Sequence, residues 1–267
     1  MSGIDGNRRG DGHSAQFELV FPGGSDRESV GDGPAIRVSA RARRLSIRVY
    51  PDARVEVVVP ARARPREVES FIAAHRQWIE SRRAIALRSR PAPQPFPPEV
   101  IELRVSAERW RLHQAGGTGP MRLVEVSSDK AAAGERILRA SGVPNAKLRD
   151  GLRSWLLRAA RTRLAPRVAA LATATGVAYS RVSIRRQRSR WGSCSARGTI
   201  SLNCCLLFQR PEVVDYLIVH ELMHVKHMNH SARFWQAVER HCADWRALDR
   251  ELVQGWRHVP RWVFSEE

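Results

Sequence analysis

Two histidines and a glutamate near residue 220 have the spacing of a metal-binding helix. The run His220-Glu221-Leu222-Met223-His224 is the HExxH pattern. Residues four apart lie one turn apart on the same face of a helix, so both imidazoles can reach one point in space, as zinc requires. Glu221 is offset to one side, where its carboxylate can reach a zinc-bound water. The alternative is a histidine pair that caps a core, but burying these polar groups without a partner would be costly.

A catalytic zinc usually takes three protein ligands, and several side chains compete for the third position. On a continued helix, His227 would lie about 10 Å along the axis from His220, at about 1.5 Å per residue, which is too far to converge on one ion. His230 follows Asn229, and asparagine tolerates the left-handed conformation that ends helices. A turn there would bring His230 back over the metal, so we predict His230 as the third ligand. The alternatives that stay open are His227, His241 and Glu239.

The residues around this motif predict the helices that would position it. Pro211 suits the first turn of a helix, Glu212 suits its positive end, and residues 213–219 are mostly apolar. Ser231 is a candidate cap for a second helix, SARFWQAVERHC. The spacing of the three histidines matches the HExxHxxGxxH signature of metzincins, except that His227 replaces the glycine.

A longer set of motifs resembles one protein family. The segment HELMHVKHMNHSARFW, together with RWGSC at residues 190–194 and ISLN at residues 200–203, resembles the YgjP-like metallopeptidases, within the wider group of SprT and WLM zincins. The resemblance extends over about residues 36–256 and includes RRLSIR at residues 43–48 and the predicted helix FIAAHRQWIESR. It implies the type of reaction but not the natural substrate, because substrates are poorly defined across this family.

The resemblance also implies roles for particular residues. It implies a zincin-like catalytic domain in which His220, His224 and His230 bind zinc and Glu221 is the catalytic acid and base. The family places a segment similar to WGSCS beside its active site. In zincins the substrate usually binds as an added strand along a sheet edge, and Thr199–Asn203 is our candidate for that edge. Tyr216 and His241 are weak candidates for an oxyanion donor, and a structural role suits either of them better.

The turn RQRSRWGSCSARG brings basic and aromatic side chains together between two predicted strands. Arg190 and Trp191 would suit single-stranded nucleic acid or an acidic substrate. The alternative is a packed turn with Trp191 in the core and Gly192 in a backbone conformation that other residues avoid. We take Arg190, Trp191 and Asn203 as candidate substrate-binding residues.

The composition is strongly basic. The 267 residues include 45 Lys and Arg against 27 Asp and Glu, which gives a formal net charge of +18, and nearly all of the basic residues are arginine. Such a charge attracts nucleic acid, nucleotides or other polyanions. The arginines are spread along the chain, however, and this favours a solvated surface over a binding site for polyanions.

The sequence predicts a cytoplasmic protein that does not enter a membrane. Its first residues lack an apolar signal core, and no run of about 18 apolar residues occurs. The four cysteines contain no CxxC pair, and we expect free thiols. Cys204 and Cys205, if they lie on a strand, would point to opposite faces. A zinc site from Cys194 and Cys242 would lack the usual ligand spacing.

The pattern along the chain predicts an α+β protein. A long apolar periodicity from Asn145 to Thr175, with Gly176 as its cap and Pro166 as a point where it kinks or divides, predicts a helix behind the HExxH helix. The expected order begins with a disordered tail over residues 1–34, in which FELVF is a candidate strand, and a β-hairpin plus one helix over 35–90. A Pro-rich linker over 91–98 and an antiparallel β segment over 99–143 follow. Residues 144–267 are expected to form a zincin-like catalytic domain, in which the HExxH helix packs on a backing helix and a small sheet.

Three functions fit these observations. The first is a zinc metallopeptidase that cleaves a peptide or protein with zinc-bound water, activated by Glu221 as general base. The second is a zinc-dependent hydrolase that acts on nucleotides or on nucleic-acid-bound protein. The third is a binding module with a structural zinc, which would need a fourth protein ligand and would leave Glu221 dispensable. The oligomeric state is not predicted.

Overall fold

The computed structural model describes residues 34–50, 52–88, 94–115, 122–126, 135–142 and 145–264. The predicted disordered tail, except for residue 34, lies outside the described residues, as do the candidate strand at residues 17–21 and residues 91–93 of the predicted linker. None of the helices in the described ranges combines the length and the apolar composition that a membrane crossing needs.

A small sheet and two helices form the N-terminal part. Strands β1 (Ala35–Ser39), β2 (Ser46–Val49) and β3 (Val55–Pro60) lie in the order β1-β3-β2, and β2 and β3 form the predicted antiparallel hairpin. Two helices follow, α1 (Pro65–Ala74) and α2 (Arg76–Arg88), where the sequence predicted one.

The break between these helices is at His75, whose backbone is non-helical (φ −107°, ψ 9°). Its ring Nδ1 lies 2.8 Å from the carbonyl oxygen of Phe71, so the side chain bonds to the end of α1. This local bond and the non-helical backbone of His75 mark the point where one apolar periodicity is divided into two helices. Val57, Val68 and Ile79 belong to a hydrophobic cluster of their own within this part.

A second sheet follows, of β4 (Val100–Leu103), β5 (Glu108–Ala115), β6 (Arg122–Val126) and β7 (Glu135–Ser141), in the order β4-β5-β7-β6. The pairs β4–β5 and β6–β7 are antiparallel as predicted, whereas β5 and β7 are parallel, so the prediction of an antiparallel segment is wrong for this pair. The reason is that β7 inserts between β5 and β6. Local alternation predicts strands but does not say which neighbour a strand joins.

The C-terminal part begins with α3 (Asn145–Thr175), a single helix that continues through Pro166. It ends at Gly176, whose φ of +62° suits glycine, as predicted. Strands β8 (Arg181–Arg185), β9 (Gly192–Cys194) and β10 (Thr199–Asn203) form a third sheet in the order β8-β10-β9.

The position of β10 corrects one expectation. Strand β10 pairs with β8 on one side and with β9 on the other, so it is central, and the prediction that Thr199–Asn203 is a sheet edge is wrong. The segment RQRSRWGSCSARG, predicted as a turn throughout, forms β9 in its middle, and β9 pairs along β10. Within the described residues, β9 and β8 are therefore the edge strands of this sheet.

Strand β10 stops before Cys204 and Cys205, so these two cysteines do not lie on a strand. It ends at Asn203, whose side chain accepts a hydrogen bond from the backbone N–H of Cys205 at 3.1 Å and so begins a 3-10 helix, Cys204–Phe208. Cys204 and Cys205 are consequently both buried instead of pointing to opposite faces. All four cysteines are free thiols.

Three helices complete the structure: α4 (Pro211–Lys226), α5 (Ala232–Glu239) and α6 (Trp245–Gln254). Helix α4 packs against α3, α5, α6 and β9. Arg167 of α3 and Asp215 of α4 form a two-point ion pair, with Nη2 and Oδ2 2.7 Å apart. A single large hydrophobic core joins α3 and α4 to the second and third sheets. The chain is thus a mixed α+β protein, while the domain boundaries stay a prediction.

Candidate metal centre

Helix α4 carries the HExxH motif into the interior. It begins at Pro211, as predicted, and Glu212 lies in its first turn. Eleven of its residues are buried, and these include the whole stretch from Tyr216 to His224. The apolar residues ahead of the motif fill the core around α4, and this packing places the motif beside β9 and α5.

Three imidazoles meet at the C-terminal half of this helix. One nitrogen each from His220, His224 and His230 lies within 4.8 Å of the other two. The Nε2 atom of His220 lies 3.2 Å from Nε2 of His224 and 3.2 Å from Nε2 of His230. Across the described ranges, no other cluster of three His, Cys, Asp or Glu side chains comes together in this way. Three nitrogens that face one point are the arrangement that a metal ion needs.

The turn that delivers His230 differs from the expected one. Helix α4 ends at Lys226, and His227 is extended, with a φ of −136°. Among the described residues other than glycine, only Ala53 and Ala107 have a positive φ. Asn229 is therefore not left-handed, and the prediction of a left-handed turn there is wrong. An extended residue at 227 redirects the chain without a left-handed step. Ser231 begins α5 as predicted, although its side chain makes no capping hydrogen bond.

The same turn orients His224. The carbonyl oxygen of His227 lies 3.0 Å from Nδ1 of His224 and accepts its proton. Nε2 of His224 is then left as a lone-pair donor that faces the other two histidines. His227 therefore acts through its backbone, and its ring is not part of the cluster. The other two alternatives also lie outside the cluster: His241 is exposed, and Glu239 forms an ion pair with Arg246 at 3.0 Å.

Burial keeps the three imidazoles uncharged. Burial is the first cause that lowers the pKa of all three rings; it lowers the pKa of His230 to about 4, and the pKa values of His220 and His224 also fall. Neighbouring histidines lower the pKa values of His220 and His230 further by charge repulsion. Neutral rings are the form that binds a metal, so this donor set fits a divalent ion.

Glu221 lies beside the histidines in a dry environment. Its exposed fraction is 2%, and burial raises its pKa to about 8, against a smaller opposing effect of Arg190. Strand β9 runs directly along it, since a Cβ on Gly192 would lie 2.6 Å from Oε1 of Glu221. The negative charge of Glu221 contributes, after burial, to raising the pKa of Cys194 on the same strand to about 11.

The three candidate substrate-binding residues differ in what they contact. Asn203 is fully buried, and its Nδ2 donates to the carbonyl oxygens of Gln187 and Arg190, both at 2.7 Å. It therefore holds the loop before β9 and has no surface to offer a substrate. Trp191 is 8% exposed and stacks on Trp256 with ring centroids 4.1 Å apart, as the packed-turn alternative expects. Arg190 alone acts on the site, through its charge on Glu221.

Two aromatic side chains that were not among the predicted site residues enclose the cluster. The ring of Phe234 stacks on His224 with centroids 4.5 Å apart, and Trp235 lies 5.6 Å from His220 and 5.6 Å from His230. Both belong to the second predicted helix, and their spacing after Ser231 is the signal that could have placed them. They form an apolar wall that strengthens electrostatic interactions inside the site.

Tyr216, a weak candidate for the oxyanion donor, is another neighbour of the histidine cluster. It lies one helical turn before His220 and is 1% exposed. Its hydroxyl donates to Oδ1 of Asp249 on α6 at 2.8 Å, which leaves its proton unavailable to an oxyanion. No sequence signal near residue 216 identifies Asp249 as its partner, because α6 is contributed from further along the chain.

Comparison with known proteins gives a family and two similar structures. Residues 43–254 match the family described as YgjP-like, metallopeptidase domain. Among solved structures, the chain is similar to the metallopeptidase zymogen abylysin of Pyrococcus abyssi, with 25% identity and a TM-score of 0.30, over 33% of this chain and 89% of that one. The metallopeptidase zymogen jannalysin of Methanocaldococcus jannaschii gives 21% identity and a TM-score of 0.29, over 33% and 92%. No curated protein matches the sequence.

Proposed function

Since this chain belongs to the YgjP-like metallopeptidase family, and is therefore a metallopeptidase, we propose that its metal is zinc and that His220, His224 and His230 hold it. The observation that carries the proposal is the convergence of three neutral imidazole nitrogens within 4.8 Å, two from buried rings and one from a half-buried ring, with a buried carboxylate beside them. Three protein ligands with one open position are typical of a catalytic zinc, whereas a structural zinc is closed by four.

The donor set favours zinc. Imidazole nitrogens suit zinc among the common biological metals, and a set of three histidines without a carboxylate is unlike the oxygen ligands of magnesium or calcium. When bound, zinc would act as a Lewis acid that activates water and polarises the scissile carbonyl. The remaining chemistry falls to side chains of this chain.

Glu221 is the proposed general base. Burial raises its pKa to about 8. A group whose pKa lies near the working pH can both accept a proton and release it readily. It takes one proton from the attacking water, whose oxygen adds to the carbonyl carbon of the substrate. As the C–N bond breaks, Glu221 passes that proton to the leaving amine, so it returns to its starting state.

Strand β9 is the proposed substrate-binding edge, in place of β10. It is an edge strand of the third sheet among the described strands, and its Gly192 lies against Glu221. A peptide that adds to β9 as a further strand would bring its backbone past Glu221, in the manner of a zincin. The wall of Phe234 and Trp235 would keep bulk water from the histidines.

The proposal is tested by zinc content and by hydrolysis of an unfolded protein, measured on wild type, His230→Ala and Glu221→Gln prepared in parallel. We expect one zinc per wild-type chain, loss of zinc in His230→Ala, and retained zinc without hydrolysis in Glu221→Gln. Full zinc occupancy in His230→Ala would overturn the ligand assignment. Hydrolysis by Glu221→Gln at the wild-type rate would overturn the general base and favour a structural zinc.

Nucleic-acid-bound protein is a second candidate substrate, and the charge of the N-terminal part favours it. Residues 34–88 contain 13 arginines and five acidic residues, a net charge of +8 (13 − 5). Binding to single-stranded DNA should then weaken steeply as salt increases. Absence of binding even at low salt would remove this candidate and leave the peptidase proposal intact.

A further inference from the structure

The hydroxyl of Tyr216 lies between a proposed zinc ligand and a carboxylate. It donates to Oδ1 of Asp249 at 2.8 Å, and its oxygen is 3.5 Å from Nδ1 of His220, at the outer limit of a hydrogen bond. Tyr216 is 1% exposed, so water does not replace either contact. The three groups form a chain from α6 through α4 to the metal centre.

The number of protons decides the direction of this chain. A tyrosine hydroxyl has a single proton, and an ionised carboxylate only accepts. Because that proton goes to Asp249, the oxygen of Tyr216 faces His220 as an acceptor. It therefore favours a proton on Nδ1 of His220 and a lone pair on Nε2, the atom that faces His224 and His230.

Asp249 has a second neighbour that favours its charged form, on a third element, although burial outweighs both neighbours and the pKa of Asp249 is raised overall. Burial raises the pKa of Asp249, while the hydrogen bond from Tyr216 and the positive charge of Arg82 on α2 lower it. The carboxylate is thus held between the tyrosine and a guanidinium from the N-terminal part.

The second helical histidine shows the same arrangement with a different acceptor. His224 donates its Nδ1 proton to the carbonyl oxygen of His227 at 3.0 Å, which also directs Nε2 to the cluster. A backbone acceptor cannot be removed by a side-chain substitution. The acceptor for His220 is a side chain, and its contribution can be measured.

We propose that Tyr216 and Asp249 are positioning residues, which hold His220 in the tautomer and orientation that bind zinc. This inference rests on the proposed three-histidine zinc site. Partners of this kind commonly contribute about 10- to 100-fold to metal affinity, because they fix the ring before the metal arrives.

The first test is zinc affinity, measured by competition with a chromophoric chelator on the full-length, zinc-stripped protein. We expect Tyr216→Phe and Asp249→Ala each to weaken zinc binding about 10- to 100-fold. Asp249→Asn retains an oxygen acceptor and should restore most of the affinity. The zinc affinity of the double variant should equal that of the single variant that binds zinc less tightly. The two effects should not add, because both substitutions break the same chain of hydrogen bonds.

The matched control is Glu251→Gln, two residues further along α6. Glu251 pairs with Arg210 at 2.6 Å and contacts none of the histidines, so its loss should leave zinc affinity within about twofold of wild type. Circular dichroism of each zinc-stripped variant verifies that the fold is retained.

A second measurement reports the tautomer without any metal. Long-range proton–nitrogen correlation spectra of the zinc-free protein, at a pH where His220 is neutral, show which ring nitrogen carries the proton. We expect Nδ1–H in wild type and in Asp249→Asn, and a mixture of tautomers in Tyr216→Phe. A general loss of packing would not produce this selective change.

The outcomes separate the inference from the proposed function. If wild type binds zinc tightly through His230 but Tyr216→Phe and Asp249→Ala bind it equally well, the inference is wrong and the zinc site stands. The inference is also wrong if Glu251→Gln weakens binding as much as they do, or if Tyr216→Phe leaves the tautomer unchanged. If wild type binds no zinc, or His230→Ala binds it as tightly, the proposed function itself is wrong.

Discussion

Gly192 of β9 lies against Glu221 of α4 so closely that a Cβ on Gly192 would be 2.6 Å from Oε1 and 2.9 Å from Cγ of the glutamate. Contacts below 3.0 Å do not occur between such atoms, so a side chain at residue 192 must displace the side chain of Glu221. The edge strand and the proposed general base therefore share one wall of the site. This relationship makes the position of the carboxylate depend on a residue without a side chain.

The first prediction is that Gly192→Ala reduces hydrolysis strongly while zinc remains bound. The added methyl pushes the Glu221 carboxylate aside, and displacement of a catalytic group by about 1 Å can cost about 100-fold in rate. The three atoms nearest to the added methyl all belong to Glu221 and none to a histidine, so the zinc content should be unchanged. The measurement is kcat/KM on an unfolded protein, together with metal analysis.

Ser193→Ala, on the same strand, is the control for this substitution. It shortens a side chain instead of adding one, and kcat/KM should stay within about threefold of wild type. Wild-type activity in Gly192→Ala would show that the contact with Glu221 does not constrain catalysis.

The second prediction contrasts His230 with its sequence neighbour His227. His230→Ala should lose zinc, because it removes one of three converging nitrogens. His227→Ala should retain zinc, because its contribution is the backbone carbonyl that accepts from His224. Zinc content after dialysis against a weak chelator distinguishes them, and the opposite result would reassign the third ligand to His227.

The third prediction concerns stability at Asn203. In Asn203→Ala, the carbonyls of Gln187 and Arg190 and the N–H of Cys205 lose their partners in a buried place. We expect a loss of about 2 to 4 kcal/mol in the free energy of unfolding, from urea denaturation. Because Asn203 is fully buried, KM should change little at a temperature where the variant is folded. A large rise in KM with unchanged stability would restore the substrate-binding interpretation.

The fourth prediction is a pH dependence at the junction of α4 and α6. The hydrogen bond from Arg210 lowers the pKa of Glu251 below its ordinary value of 4.5. A lowered folded-state pKa means that the pair stabilises the fold above about pH 4.5 and loses this effect as the pH falls through the folded value. The urea midpoint of Glu251→Gln should lie below that of wild type at pH 7, and the difference should become smaller as the pH falls below about 4.5. A difference between the two midpoints that stays constant as the pH falls would show that packing, not charge, is responsible.

Parts of this protein follow from short stretches of its sequence. The HExxH spacing, the start of α4 at Pro211 and the bounds of α3 all depend on helical periodicity and on residues that begin or end helices. The hairpin of β2 and β3 likewise depends on alternation around a turn. These features are local, so a pattern of a few residues is enough to predict them.

What the sequence by itself determined is the long helices α3 and α4, the hairpin of β2 and β3, the chemistry of three histidines and a glutamate, and the nearness of His230 to the motif. Only the tertiary structure decided that β10 is central, that β7 inserts beside β5, that Asn203 is buried, and that Asp249 meets Tyr216. These are contacts between segments far apart in the chain. Their selection depends on how the whole core packs and how buried polar groups find partners, and no local period records either.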